Sequence, residues 1–292
     1  MPLIQFASGG TGKDGIPTLD RPRFESVEAA GRWLQPRMPV IELELGSEAR
    51  AYPLAILVWH EIVNDVFAGT PVAVTFCPLC NTALAFDRRL DGLLLDFGTT
   101  GNLRHSDLVM YDRQTESWWQ QFGGEAIVGE LAGSRLTPVP ARIVAWEDFA
   151  RDHPDGQVLS RDTGYPRTYG SNPYGGYDSV DSPPFFPAAN EGDDRLPPKE
   201  RVVFLERGED AVVVPFSVLE QRGTVEIAVG GERLEAIWVQ DVRSALDSGD
   251  ISDGRLVGSA DVRSVETGER VAFDIPFWFA VAAFRPDVRI ER

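Results

Sequence analysis

Lysine is almost missing from this chain: Lys13 and Lys199 are the only two. The other cations are arginines, and Lys plus Arg number 28 against 45 Asp plus Glu, a formal net charge of −17 with a pI near 4.6. A field of that sign repels phosphate backbones, which excludes nucleic-acid binding through a basic surface. Cysteine is as scarce, with only Cys77 and Cys80, so no disulfide framework ties distant segments together. No run approaches the roughly 18 apolar residues that cross a bilayer. Met1 to Gly10 has neither the basic flank nor the apolar stretch of a signal peptide, so the chain as it stands reads as soluble, without a transmembrane segment. A Ser-His-Asp elbow, a Walker loop and a dinucleotide fingerprint are also missing; Gly9-Gly10-Thr11-Gly12 lacks the strand that should precede it.

What is present is a globular composition, 43% hydrophobic and 25% charged over 292 residues, enough for one large or two ordinary domains. Glycine (28) and proline (21) punctuate short, alternating apolar runs, which favours sheet over long helix. Val40 to Leu45 and Ala49 to Tyr52 alternate across Gly46 as a hairpin. Pro71 to Phe76, Thr82 to Phe86 and Gly92 to Phe97 read as further strands. Short helices are expected at Ser26 to Leu34, Leu54 to Val63 and Trp146 to Asp152.

Sliding the chain against itself exposes an internal repeat. Gly46, Ala49, Pro53, Leu57, Gly69 and Ala83 recur as Gly208, Ala211, Pro215, Leu219, Gly231 and Ala245 at one shift of 162. Gly92 and Phe97 then match Gly268 and Phe273 at 176, a 14-residue insertion placed near Asp247 to Gly254. Ile143, Trp146, Pro154 and Asp155 match Ile275, Trp278, Pro286 and Asp287 at 132, so the second copy lacks 44 residues, roughly Gly98 to Pro138. The expected fold is mainly β with short helices (α+β), two divergent copies of one strand-rich unit packed as a pseudo-twofold sandwich or barrel-like pair. Residues 1–35 form an N-terminal arm and short helix, 36–163 a site-bearing first repeat, 164–196 an irregular Pro/Tyr/Gly-rich connection, and 197–292 a degenerate, structural second repeat.

The repeat separates scaffold from chemistry. At the shift of 162, His60 becomes Arg222, Cys77 becomes Val239 and Cys80 becomes Val242, while His105 falls in the stretch that the second copy lacks. Two cysteines spaced by two residues at a strand end direct sulfur to one point, as a chelating pair or a reversible disulfide. With His60 and His105 they make a four-ligand set for zinc or copper. Glu61, Asp107, Asp112 and Arg113 are candidates for orienting those groups. His153, which becomes Arg285 between kept neighbours, reads as structural or exposed.

Trp59-His60-Glu61-Ile62-Val63-Asn64, Cys77-Pro78-Leu79-Cys80, Ser106 to Arg113, Trp118 and Asp162-Thr163-Gly164-Tyr165 together resemble a bacterial and archaeal family, the domain of unknown function 3179. The resemblance runs from Asp14-Gly15-Ile16-Pro17 over about the first half. Its members are commonly exported or lipid-anchored, which is the location it implies, although no leader is visible here. It implies no reaction. Three readings stand open: a copper- or zinc-binding protein, including a metal-dependent redox enzyme, with catalysis at Cys77 and Cys80; a thiol-disulfide oxidoreductase on the same cysteines; and a non-catalytic binding module with incidental thiols. The partner is then a metal ion, a thiol or another small molecule.

Overall fold

The computed structural model describes residues 5–292. It is mainly β, 41% strand and 14% helix, arranged as a five-bladed β-propeller. This corrects the expected pseudo-twofold pair: five sheets close a ring, with a two-stranded ribbon of Arg89–Leu90 and Leu93–Leu94 beside them, and are not two copies packed face to face.

Numbered around the ring, the first blade holds Phe6–Ser8, Phe97–Arg104, Asp107–Asp112, Trp118–Gln120 and Glu125–Val128. The second holds Ile62–Phe67, Thr70–Cys77, Thr82–Asp87 and Pro138–Val139. The third is built from Phe24–Ser26, Pro39–Leu45, Glu48–Pro53, Ala141–Ala145 and Gln157–Leu159. Thr224–Val229, Glu232–Val239 and Ser259–Ser264 make the fourth, and Val202–Arg207, Asp210–Pro215 and Arg289–Ile290 the fifth, flanked by a bridge from Phe204 to Asp274.

Each junction is visible. Asn64 Nδ2 donates to Phe97 O at 2.8 Å between the second and first blades, and Ser259 Oγ donates to Ile143 O at 2.6 Å between the fourth and third. Val40 and Leu43 share a core with Val72 and Val74, and Val203 and Leu205 share one with Val225 and Ile227. The ring closes where Phe122, beside the first blade, lies 5.1 Å from Phe204 of the fifth. Neighbouring sheets bury the faces that neither could cover alone, at roughly 25 cal/mol per Å² of apolar area.

The positions matched by sliding the chain fall on like elements of different blades. Glu48–Pro53, helix Leu54–His60, Ile62–Phe67 and Thr70–Cys77 have the same bounds, offset by 162, as Asp210–Pro215, helix Phe216–Arg222, Thr224–Val229 and Glu232–Val239. Helix Trp146–Asp152 likewise maps on Trp278–Phe284. The third and second blades thus resemble the fifth and fourth. Most of the 44-residue gap is the first blade, which has no counterpart. Gly46 and Gly208 sit at φ of 64° and 62° in equivalent hairpin turns, a conformation that other residues adopt only with strain. Among the described residues no helix is long and apolar enough to cross a membrane.

Candidate functional site

Cys77 ends strand Thr70–Cys77 and pairs with Thr82 across a tight hairpin turn, Pro78-Leu79-Cys80-Asn81. Asn81 adopts the left-handed conformation (φ 60°) that Asn tolerates well, which folds Cys80 back under Cys77. The turn is anchored from the fifth blade's flank: Phe277 N donates to Cys80 O at 2.8 Å, Asn81 Nδ2 to Ile275 O at 2.7 Å, and Ala83 N to Asp274 Oδ1 at 2.9 Å. From the connection, Tyr177 Oη donates to Leu79 O at 2.8 Å.

Asp107 opens strand Asp107–Asp112 of the first blade, after His105 and Ser106, both with positive φ. Its carboxylate reaches the thiols: Cys80 Sγ donates to Asp107 Oδ1 at 2.8 Å, and the ligand-type atoms of Cys77, Cys80 and Asp107 all lie within 4.8 Å of one another. All three side chains are buried. Thr82 Oγ1 lies 3.0 Å from Cys80 Sγ, Gln121 Nε2 donates to Thr75 Oγ1 at 2.9 Å, and Phe122 N donates to Asp107 Oδ2 at 2.9 Å. Gln120 Nε2 also donates to Asp107, so every hydrogen-bond partner of this carboxylate is neutral.

In a cluster of buried acids without a bonded cation, every group releases its proton at a higher pH than it would in water. Burial raises the Cys77 thiol and raises Cys80 further, with Cys77 and Asp107 adding to the latter. Burial pushes Asp107 up to about 6, against hydrogen bonds that pull it down. Glu61, next to the helix that ends at His60, is pushed up to about 8 by burial and by Asp107. Asp274 rises to about 7 for the same first reason. In each case removal from water disfavours the charged form. Glu61 also lines a small cavity of about 110 Å³ with Leu79, Leu108 and Tyr174, directly beside the cysteine turn.

The imidazoles stand elsewhere. His60 is fully buried with both ring nitrogens engaged, Nδ1 2.7 Å from Pro17 O and Nε2 2.7 Å from Tyr169 Oη. Because the Pro17 carbonyl can only accept, Nδ1 carries the proton and Nε2 accepts from the tyrosine. Burial lowers its pKa. His105 stacks edge-on against Phe284, its Nδ1 accepts from Ala189 N at 3.2 Å, and burial with Arg104 pushes it down to about 4. Neither belongs to the thiol-carboxylate set among the described residues.

Asp112 is buried, accepting from Thr115 N at 2.6 Å and Trp119 Nε1 at 2.9 Å, so it caps a turn of the first blade. Arg113 pairs with Asp20 at 2.5 Å near the surface. Asp274, Thr82 and Gln121 were not singled out from sequence. The one available signal was a pair of adjacent glutamines closing an otherwise apolar strand after Trp118-Trp119.

The chain is matched from residue 13 to 288 by the family model described as Protein of unknown function (DUF3179). It belongs to that family, and the match continues through the fourth and fifth blades, beyond the half on which the sequence motifs lie. No curated protein and no solved structure matches it.

Proposed function

We propose that this is a metal-binding protein whose centre holds one zinc ion on Cys77, Cys80 and Asp107. The observation that carries the reading is the convergence of two thiols and a carboxylate within 4.8 Å, from two blades, in a buried place with no cationic hydrogen-bond partner. Zinc takes sulfur and oxygen ligands together, whereas Cu(I) favours an all-sulfur or sulfur-imidazole set, so the carboxylate selects zinc over copper. Metal binding displaces the protons that burial now holds on the thiols, which makes affinity rise with pH. Three protein ligands leave a fourth position, the pattern of catalytic rather than structural zinc, and such an ion supplies Lewis acidity. Glu61, protonated at neutral pH beside the 110 Å³ cavity, is then placed to hold a proton for a small substrate.

One observation favours a second reading, dithiol-disulfide exchange. The 2.8 Å contact from Cys80 to Asp107, a carboxyl near 6, puts a proton acceptor on one thiol. Elemental analysis of protein purified without a metal-affinity tag, combined with thiol counting under denaturing conditions, separates the readings. We expect at least about one zinc per chain with two reduced thiols, and loss of one equivalent in Cys77→Ser and in Asp107→Ala. A metal-free protein with a disulfide overturns the first reading in favour of the second. Two free thiols and no metal overturn both and leave a binding module.

A further inference from the structure

A second constellation lies on the outer side of the third blade, away from the thiols. Glu42 and Glu44 are two apart on strand Pro39–Leu45 and so face the same way. His153 caps the C-terminus of helix Trp146–Asp152 and turns back toward them. The three ligand-type atoms lie within 4.8 Å of one another and line an open cleft of about 570 Å³ between the third and fourth blades.

The atoms converge without bonding. His153 Nε2 is 3.1 Å from Glu44 Oε1 and 3.7 Å from Glu42 Oε2, yet it makes no hydrogen bond, and Glu42 Oε2 makes none either, although the Glu42 side chain is 2% exposed. Asp261 Oδ1, facing the same cleft, is buried without a hydrogen bond, although Arg270 Nε stands 3.4 Å away. A buried oxygen left without a hydrogen bond is destabilising, and a bound cation would satisfy it. Arginines pair with all three carboxylates, Arg142 and Arg270 with Glu42 and Asp261, Arg270 with Glu44 and Arg263 with Asp261, but none hydrogen-bonds Glu42 Oε2. Arg142 holds Glu42 Oε1 at 2.8 Å and Arg270 pairs with Glu44, leaving Glu42 Oε2 turned toward the imidazole. Burial raises the Glu42 carboxyl against the pull of Arg142.

The fifth blade supplies an internal comparison. There the matching positions are Phe204, Glu206 and Arg285, and Glu206 forms a direct ion pair with Arg285. Where one carboxylate stands, a permanent guanidinium neutralises it; where two converge, the matching residue is an imidazole, which can ligate.

We propose that Glu42, Glu44 and His153 form a second metal site, taking a divalent first-row cation through oxygen and imidazole. Two carboxylates with one imidazole suit zinc or manganese and offer no soft sulfur. The site is reached from solvent through the cleft, so it exchanges its ion more readily than the buried thiol centre.

Titration of the metal-stripped full chain with Zn²⁺ alone, followed by calorimetry, tests this. We expect His153→Arg, which imports the ion pair of the fifth blade, to keep the fold and lose one zinc equivalent, while Cys77→Ser retains that equivalent. Glu42→Gln, with its fold checked by circular dichroism, should weaken the same equivalent at least about tenfold. Equal zinc binding by wild type and folded His153→Arg overturns the proposal. Should His153→Arg unfold, unchanged binding by Glu42→Gln overturns it instead.

Discussion

Replacing Asp274 by Asn should remove a defined part of the protein's pH sensitivity. The Asp274 carboxyl is fully buried, Oδ1 accepts from Ala83 N and Ile275 N at 2.9 and 2.8 Å, and Oδ2 has no partner. Burial holds it at about 7 in the folded chain, against about 3.9 in an unfolded one. A raised acid is favourable below its unfolded pKa, and that benefit is lost as pH climbs to the folded pKa. Each pH unit between about 4 and 7 therefore removes about 1.4 kcal/mol, and above about 7 the full penalty of about 4 kcal/mol stands. Asn keeps the Oδ1 acceptor and carries no charge at any pH. Urea unfolding of metal-stripped wild type and Asp274→Asn at about pH 5 and pH 8 isolates the effect. The wild type should lose about 3 kcal/mol more than the variant between the two. Parallel pH profiles would show that Asp274 is ionised without penalty, and the account of a cation-poor centre would fail with it.

Two further outcomes follow from the placement of particular side chains. Val242 is 1% exposed in the core shared by the second and third blades, whereas Val239 only packs against its edge. Val242→Ala should therefore cost about 1 to 3 kcal/mol in denaturant unfolding and Val239→Ala clearly less, with zinc content unchanged in both. His60→Ala removes a clamp between Pro17 and Tyr169, so the melting temperature should drop while zinc stoichiometry stays the same; loss of zinc in a folded His60→Ala would return the imidazole to the centre.

Much of the local structure was legible. The hairpin across Gly46, the strand before Cys77 and the helices after Pro53 and Ala145 follow from alternation and turn residues, because these act over a few positions. Ring closure was not legible, since it depends on contacts such as Phe122 against Phe204 that no periodicity records. Two recurring blades read from sequence as two packed halves, and the 44 residues that the second copy lacks are mostly one whole blade. The insertion was also placed imperfectly: the four-residue turn after Cys77 corresponds to residues 240–258 after Val239, so Ala83 and Ala245, though matched in sequence, lie in unlike places. At the centre, Cys77 and Cys80 stand out by spacing, whereas Asp107 reads from sequence only as one of several groups that could orient a ligand, and its contact with Cys80 is visible only in the fold. His60 was selected because it disappears with the cysteines, but its buried hydrogen bonds to Pro17 and Tyr169 are a sufficient reason for it to be His. Asp274 contacts Ala83 from 191 positions away, a distance at which sequence pattern carries no signal.

The unmatched first blade also bears on how such a centre can arise. The fourth and fifth blades show that a hairpin turn and its flanking sheet fold well with valines and a long loop where the cysteines stand in the second. What they lack is any strand that could present a counterpart of Asp107. Acquiring the thiols by point substitution would have given only a buried dithiol. The third member of the cluster, Asp107, stands on the blade that has no counterpart, so asymmetry of the architecture, and not the cysteines alone, sets this end of the second blade apart from the matching end of the fourth. Replacing residues 239–258 of the fourth blade by Cys-Pro-Leu-Cys-Asn would accordingly shorten its loop to the length of the second blade's turn and still offer no counterpart of Asp107.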